Sequence, residues 1–359
     1  MNVHQVLSGA GPYDAVTTQA LAFRARFRAW GWGGQDVAAE IDPRIGDRIA
    51  PLRSLDARNG DVLLVHYSAY APKLRRVLEL PQRTLLISHN ITPARWFWDH
   101  DPQAAVVCAL GRKQLPQFAA AADVVAGVSL YNAREMGSET VIPILFDPRT
   151  LGAARNTRSP GGSQGAGGSE RDRDGGSAAA TILFVGRLAP HKRQDAVMRA
   201  FELYRRRHAP DARLVLVGAP VNWAYDAAMR ELAMQLSPGA ITIESGLTRE
   251  QLADRYRSAT AFLCLSEHEG FCIPLLEAFH FGVPVIARPV GGVPEVAGDA
   301  ALLLGEEDGE SVIAELLAIV ATDGELRASL RERAAARVAA YAPEPTARAL
   351  RAAVESLAR

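Results

Sequence analysis

Cysteine is scarce in this 359-residue chain, which has only Cys108, Cys264 and Cys272. Three are too few for a disulfide framework, and their spacing fits no zinc motif. Each sits among apolar neighbours, so they read as small core residues of a reduced compartment. Net charge is also missing, since 40 basic side chains balance 40 acidic ones. Nucleic-acid binders carry a basic excess, so no nucleic-acid partner is expected, and any anion has to be held locally. No run reaches the roughly eighteen consecutive apolar residues of a membrane helix. The start Met1-Asn2-Val3-His4-Gln5 lacks the basic region of a signal peptide, so a cytoplasmic place is expected.

Large apolar residues are missing from one stretch altogether. Between Gly152 and Ala179 the chain is almost all Gly, Ser, Ala, Arg, Asp and Asn, and eight of its 30 glycines fall there. Such a segment has nothing to bury, so disorder is the physical expectation. The length suits about two domains. The expected division is 1–150, a linker at 151–179, a second domain at 180–340, and a closing segment at 341–359.

Both halves read as α/β. Short apolar runs at Val3–Leu7, Val62–Val65, Leu85–Ile87, Val124–Val128 and Val141–Leu145 alternate with helix-like stretches such as Thr17–Trp30 and Pro72–Glu79. The second half repeats this with Ile182–Val185, Leu214–Val217, Ile241–Ile243, Ala261–Leu265 and Val283–Ala287. That alternation means βαβ units, hence two Rossmann-like doubly wound parallel sheets facing a cleft. Ligands of such sheets bind beyond the carboxyl ends of the strands. The final segment places Ala347, Leu350, Val354 and Leu357 at helical spacing, so a helix is expected there. In a two-sheet fold of this kind the last helix commonly crosses back to the first domain, and that is its expected role.

Beyond Ala261–Leu265 a turn with Gly270 leads into a helix carrying Pro274 early and Gly282 as its stop. The N–H groups of Gly270, Phe271 and Cys272 at that helix start form an anion site. Glu269 and Glu277 flank it, and a carboxylate suits the paired hydroxyls of a ribose or a pyranose. Each acid alone reads as a solvated surface residue; their joint placement argues for a nucleotide-sugar site. In Phe184-Val-Gly-Arg-Leu-Ala-Pro-His-Lys192, Gly186 ends a strand and Arg187 and Lys192 follow, a fork and a point charge suited to a diphosphate.

Gly186-Arg187 with Lys192, then Glu269 and Glu277, then Pro289-Val-Gly-Gly-Val-Pro-Glu295, resemble the donor half of GT-B glycosyltransferases of family 4, the group 1 transferases. The resemblance covers the second half and implies a retaining hexosyltransferase with no metal and no cofactor. It implies that Arg187 and Lys192 contact the diphosphate and that Gly270 and Phe271 donate to phosphate, with Cys272 beside them. Glu277 then holds the ribose, Glu269 the transferred sugar, and Gly218 and Leu247 lie by the base. Its partners would be a nucleoside-diphosphate sugar, with GDP-mannose as the first guess, and a carbohydrate or polyprenyl-linked saccharide acceptor in cell-surface polysaccharide synthesis. A sugar-nucleotide epimerase or hydrolase on the same fold, or a non-catalytic nucleotide-sugar-binding subunit, stands as the alternative.

The first half matches more loosely. Gly9 and Gly11 are expected just after the first strand, where the family has a loop near donor phosphate and acceptor. His89, in Ser88-His89-Asn90, resembles the family histidine that bonds a sugar hydroxyl; His66 is a second candidate and His4 reads as structural. Trp96-Phe97-Trp98 is an acceptor platform, a peripheral contact at the inner membrane face, or a core plug. Basic clusters at Arg24–Arg28 and Lys73–Arg76 are the local sites for such a membrane contact. The pairs Asp99/Asp101 and Asp172/Asp174 are read as incidental rather than as metal ligands.

Overall fold

The computed structural model describes residues 1–12, 14–152 and 179–358. The expected linker falls mostly outside the described residues, as do Asp172 and Asp174.

Two six-stranded sheets carry the architecture, and every strand pair is parallel. The first comprises β1 (Val3–Ala10), β2 (Asp36–Ile41), β3 (Ala50–Pro51), β4 (Val62–Tyr67), β5 (Arg83–Ser88) and β6 (Val124–Gly127), in the order β3-β2-β1-β4-β5-β6. The second comprises β7 (Thr181–Val185), β8 (Arg213–Val217), β9 (Ile241–Glu244), β10 (Ala261–Cys264), β11 (Val285–Ala287) and β12 (Ala301–Leu303), in the order β12-β11-β10-β7-β8-β9. Helices cover both faces, so the central strands are buried throughout, as the continuous apolar runs require.

Three details correct the sequence reading. The run Val141–Leu145 forms no strand and leaves only an isolated bridge between Gly127 and Val141; Pro143 interrupts it and has no N–H for a ladder. The first strand runs three residues further than expected, so Gly9 lies inside β1, opposite Glu40 of β2. Gly11 alone of the pair follows it. The cluster Arg24–Arg28 is not a free basic patch. Arg24 is buried in helix α1 (Ala15–Ala29) and paired with Asp36 at 2.7 Å.

Further helices place the site: α2 (Pro102–Ala121) and α3 (Leu130–Arg134) in the first half, then α4 (Gln194–Arg207), α5 (Trp223–Leu236), α6 (Arg249–Ser258) and α7 (Ile273–His280). Beyond them lie α8 (Val293–Ala297), α9 (Glu310–Thr322), α10 (Gly324–Ala340) and α11 (Pro343–Leu357). The α11 helix returns to the first sheet. Its Leu350 and Val354 are fully buried in one core cluster with Phe27, Trp32 and Leu85, and Arg351 lies over the Trp30 ring at 5.5 Å. That cluster runs on to Phe262 and Leu275 in the second half, joining the two sheets through one apolar core.

Candidate active site

The turn between β10 and α7 is built for close approach. Cys272, the residue before α7, has a left-handed backbone (φ 74°), and Pro274 occupies the first helical turn. Among the described residues nothing accepts a hydrogen bond from the N–H groups of Gly270, Phe271 or Cys272. Donors left without an acceptor at a helix start favour an anion. The first half closes over the turn. Ser129 Oγ donates to the Gly270 carbonyl at 2.7 Å, Leu130 N donates to Glu295 Oε2 at 2.6 Å, and the Asn90 side chain lies against Gly270, where any Cβ would collide with it.

Lys192 ends the short 3-10 turn Pro190–Lys192 and reaches this loop. Its Nζ meets Glu269 Oε1 at 2.6 Å, and both groups are largely buried. Burial pulls the ammonium's pKa down, but the Glu269 carboxylate and the neighbouring cysteines outweigh it, so the pKa is raised overall and the charge is kept. Arg193, left-handed at φ 53°, holds Glu267 and Asp195 and so fixes the same turn from its other side. Arg187 stands apart from this pair: its side chain is exposed and has no acidic partner among the described residues, while its carbonyl accepts from Gln194 Nε2. Cys264, Glu269 and Cys272 bring potential ligand atoms within 4.8 Å of one another. The Lys192 ammonium occupies the place at Glu269 that a cation would take, so the donor set fits a metal poorly.

Glu277 lies one turn into α7, and the Tyr256 hydroxyl donates to its Oε2 at 2.7 Å. Burial raises the Glu277 pKa, and the tyrosine bond opposes that only in part. With Leu247, Thr248 and Ile273, Glu277 lines a 590 Å³ cavity whose opposite wall is Gln19 and Ile144 of the first half. Gly218 is not part of that lining; a Cβ there would strike the Gly186 carbonyl, so these two glycines meet each other where β7 and β8 end. A larger cavity, 720 Å³, lies at the amino ends of the second sheet beside Ala212 and Thr260, away from all of these residues.

His89 follows β5 and pairs with His66, Nε2 to Nδ1 at 2.9 Å, so the two candidate histidines form one unit. His4 is bonded to buried Asp61 at 3.1 Å. Phe97 is buried against Ala105 and Ala189, whereas Trp98 is half exposed, so the aromatic run divides between core and surface. Asp101 caps α2 by accepting from Ala104 N at 3.0 Å. Burial pushes His89 down to about 3 and His191, which Lys192 also opposes, down to about 2. Both stay neutral when folded, while the unfolded chain takes up protons below its ordinary value near 6.5. Stability therefore falls as pH drops from about 6.5 toward these lower values, by about 1.4 kcal/mol per pH unit for each group. A lower urea midpoint at pH 5.0 than at pH 7.5 is expected; equal midpoints would contradict this.

Tyr256, Arg193, Asn90, Ser129 and Asn132, whose side-chain amide donates to Asn90 Oδ1 at 3.3 Å, were not singled out from the sequence. Asn90 and Arg193 carried the only local signals, being next to His89 and Lys192. The others act through contacts far along the chain.

Residues 173–337 match the family model for glycosyl transferases group 1. A D-inositol 3-phosphate glycosyltransferase of Mycobacteroides abscessus is 35% identical over 144 residues, 38% of this chain and 31% of that protein. O-antigen chain mannosyltransferase B of Escherichia coli is 31% identical over 162 residues, 45% of this chain and 41% of that protein. The match thus spans less than half the length of either relative. Sucrose-phosphate synthase from Thermosynechococcus elongatus superposes with a TM-score of 0.71 at 17% identity, covering 99% of this chain and 98% of that one. The fold is GT-B.

Proposed function

We propose that this chain transfers a hexose from a nucleoside-diphosphate sugar to a hydroxyl of a saccharide or lipid-linked saccharide, with retention at the anomeric carbon. The observation that carries the reading is the convergence of three donor-side features on one turn. The N–H groups of Gly270, Phe271 and Cys272 suit the diphosphate, the buried Lys192–Glu269 pair stands beside them, and Glu277 follows one turn into α7. The match of residues 173–337 to the group 1 transferases covers this same turn.

In this reading the diphosphate lies on the start of α7, Glu277 takes the ribose hydroxyls, and the base enters the cavity by Leu247. Glu269 accepts from hydroxyls of the transferred sugar, and its bond to Lys192 holds the carboxylate in place. As the C1–O bond to phosphate breaks, negative charge grows on the leaving oxygen, and the backbone donors, Lys192 and the exposed Arg187 stabilise it. The acceptor oxygen forms the new bond on the face the phosphate leaves. The departing phosphate takes the hydroxyl proton, so no separate acid and base pair is needed. GDP-mannose is the first donor to try, in keeping with the mannosyltransferase among the relatives.

A panel of nucleotide sugars tests the reading. The right donor at about a hundred times its Kd adds about 2.7 kcal/mol to the folded state and raises the melting temperature. With an acceptor present, the linkage formed should keep the donor's anomeric configuration by NMR. Free sugar or an isomerised donor, formed without any acceptor, would replace this reading with hydrolysis or epimerisation. No melting shift with any nucleotide sugar would remove it.

A further inference from the structure

Four polar side chains cross the buried face of the first sheet in a single row. Gln5 on β1 and His66 on β4 are fully buried; Gln5 shares its face of the strand with Val3 and Leu7, and His66 shares its face with Val62 and Leu64. Gln5 pairs in register with Asp36 of β2 and with Leu64 of β4. His66 is two residues beyond Leu64 and opposite Ile87 of β5, and His89 is two residues beyond Ile87. Side chains two apart share a face, so Asp36, Gln5, His66 and His89 all project to the same side, toward α1.

The hydrogen bonds along this row have one consistent direction. Gln5 Nε2 donates to the Ala20 carbonyl at 2.8 Å and to Asp36 Oδ1 at 2.7 Å, and neither can donate in return. The amide orientation is therefore fixed, and Gln5 Oε1 is an acceptor. It faces His66 Nε2 at 3.0 Å, so that nitrogen carries the ring proton. Burial keeps His66 neutral, which leaves Nδ1 bare. The bare Nδ1 faces His89 Nε2 at 2.9 Å, so His89 in turn carries its proton on Nε2. His89 is neutral by the same cause, and its Nδ1 is a bare lone pair, buried and without a partner among the described residues. Arg24, bonded to Asp36 through Nε and a terminal nitrogen, anchors the far end.

We propose that Gln5 and His66 are positioning residues that fix His89 in the Nε2–H tautomer, so that His89 offers Nδ1 as a hydrogen-bond acceptor to a hydroxyl of the bound saccharide. The ligand in this statement rests on the transferase reading above; the tautomer does not. A neutral imidazole free to exchange tautomers would present a donor as readily as an acceptor, and a sugar O–H would meet the right partner only part of the time. Apolar residues at 5 and 66 would pack this face as well as the rest of the sheet. The row of polar groups therefore breaks the local pattern where it leads to the carboxyl end of β5, beside the turn that Asn90 touches.

Long-range proton–nitrogen spectra of the full chain labelled with ¹⁵N-histidine read the tautomers directly. His66 and His89 are both expected as Nε2–H, without any ligand. His66→Asn keeps an acceptor where Nδ1 stood and should keep both the His89 tautomer and turnover. His66→Leu removes it, and the His89 signals should move to a tautomer mixture, with kcat/KM down about tenfold for the loss of one hydrogen bond. His89→Leu should cost about the same, and the double variant no more than either single one, since the residues act as one unit. An Nδ1–H signal for His89 in the unaltered chain, or additive losses in the double variant, overturns the proposal. Absence of turnover by the unaltered chain would count against the transferase reading alone, because the spectra decide the tautomer without substrate.

Discussion

Lys192→Ala is expected to lower kcat for glycosyl transfer by about 10²- to 10³-fold, the usual cost of removing one group that stabilises developing charge. The same change should cost about 3 kcal/mol of stability, because it strands the buried Glu269 carboxylate. The two effects separate in a second variant. With Lys192→Ala and Glu269→Gln combined, the uncompensated charge is gone and the melting temperature should recover, while turnover stays low. If turnover recovered together with stability, Lys192 would be only a structural partner and its place at the leaving group would be wrong.

The second large effect is expected at Gly291. Its backbone is left-handed (φ 55°), and a Cβ there would run into the Glu269 carbonyl oxygen, the acceptor for Gly292 N. Gly291→Ala therefore meets a backbone penalty and a collision with main chain that cannot swing aside, together about 2–4 kcal/mol. It should also displace Glu269 and Gly270, so catalysis falls further than the lost stability explains. Gly324→Ala is the control: it lies in α10 with open space around it and should be neutral or slightly stabilising. Thermal melting of the two variants side by side checks this, and a Gly291→Ala protein that melts like the control would refute it.

The strands that bury both faces were plain in the sequence, because Val62–Val65 or Leu214–Val217 admit few other readings. The missed strands were those whose composition hides them. β2 reads Asp-Val-Ala-Ala-Glu-Ile and owes its place to pairing on both sides, β3 has two residues, and β12 is a short edge. The turn between β10 and α7 was legible because its parts are close in sequence: a strand end, Glu269, Gly270 and the helix start. Its supports were not. Tyr256 reaches Glu277 from another helix, and Ser129 reaches Gly270 across 141 residues. The polar row was half legible, since a histidine ending the apolar run Val62–Val65 demands a partner, but only the fold shows that Gln5 is that partner across 61 residues.

The return of α11 to the first sheet bears on the order in which the molecule can be completed. The residues that pack against Phe27, Trp32 and Leu85 include Leu350 and Val354, which leave the ribosome some three hundred positions later. A nascent first half thus has its strands in hand but an apolar seam still uncovered throughout synthesis of the second. The half made first is the half finished last, and the closing helix is what ends its exposure.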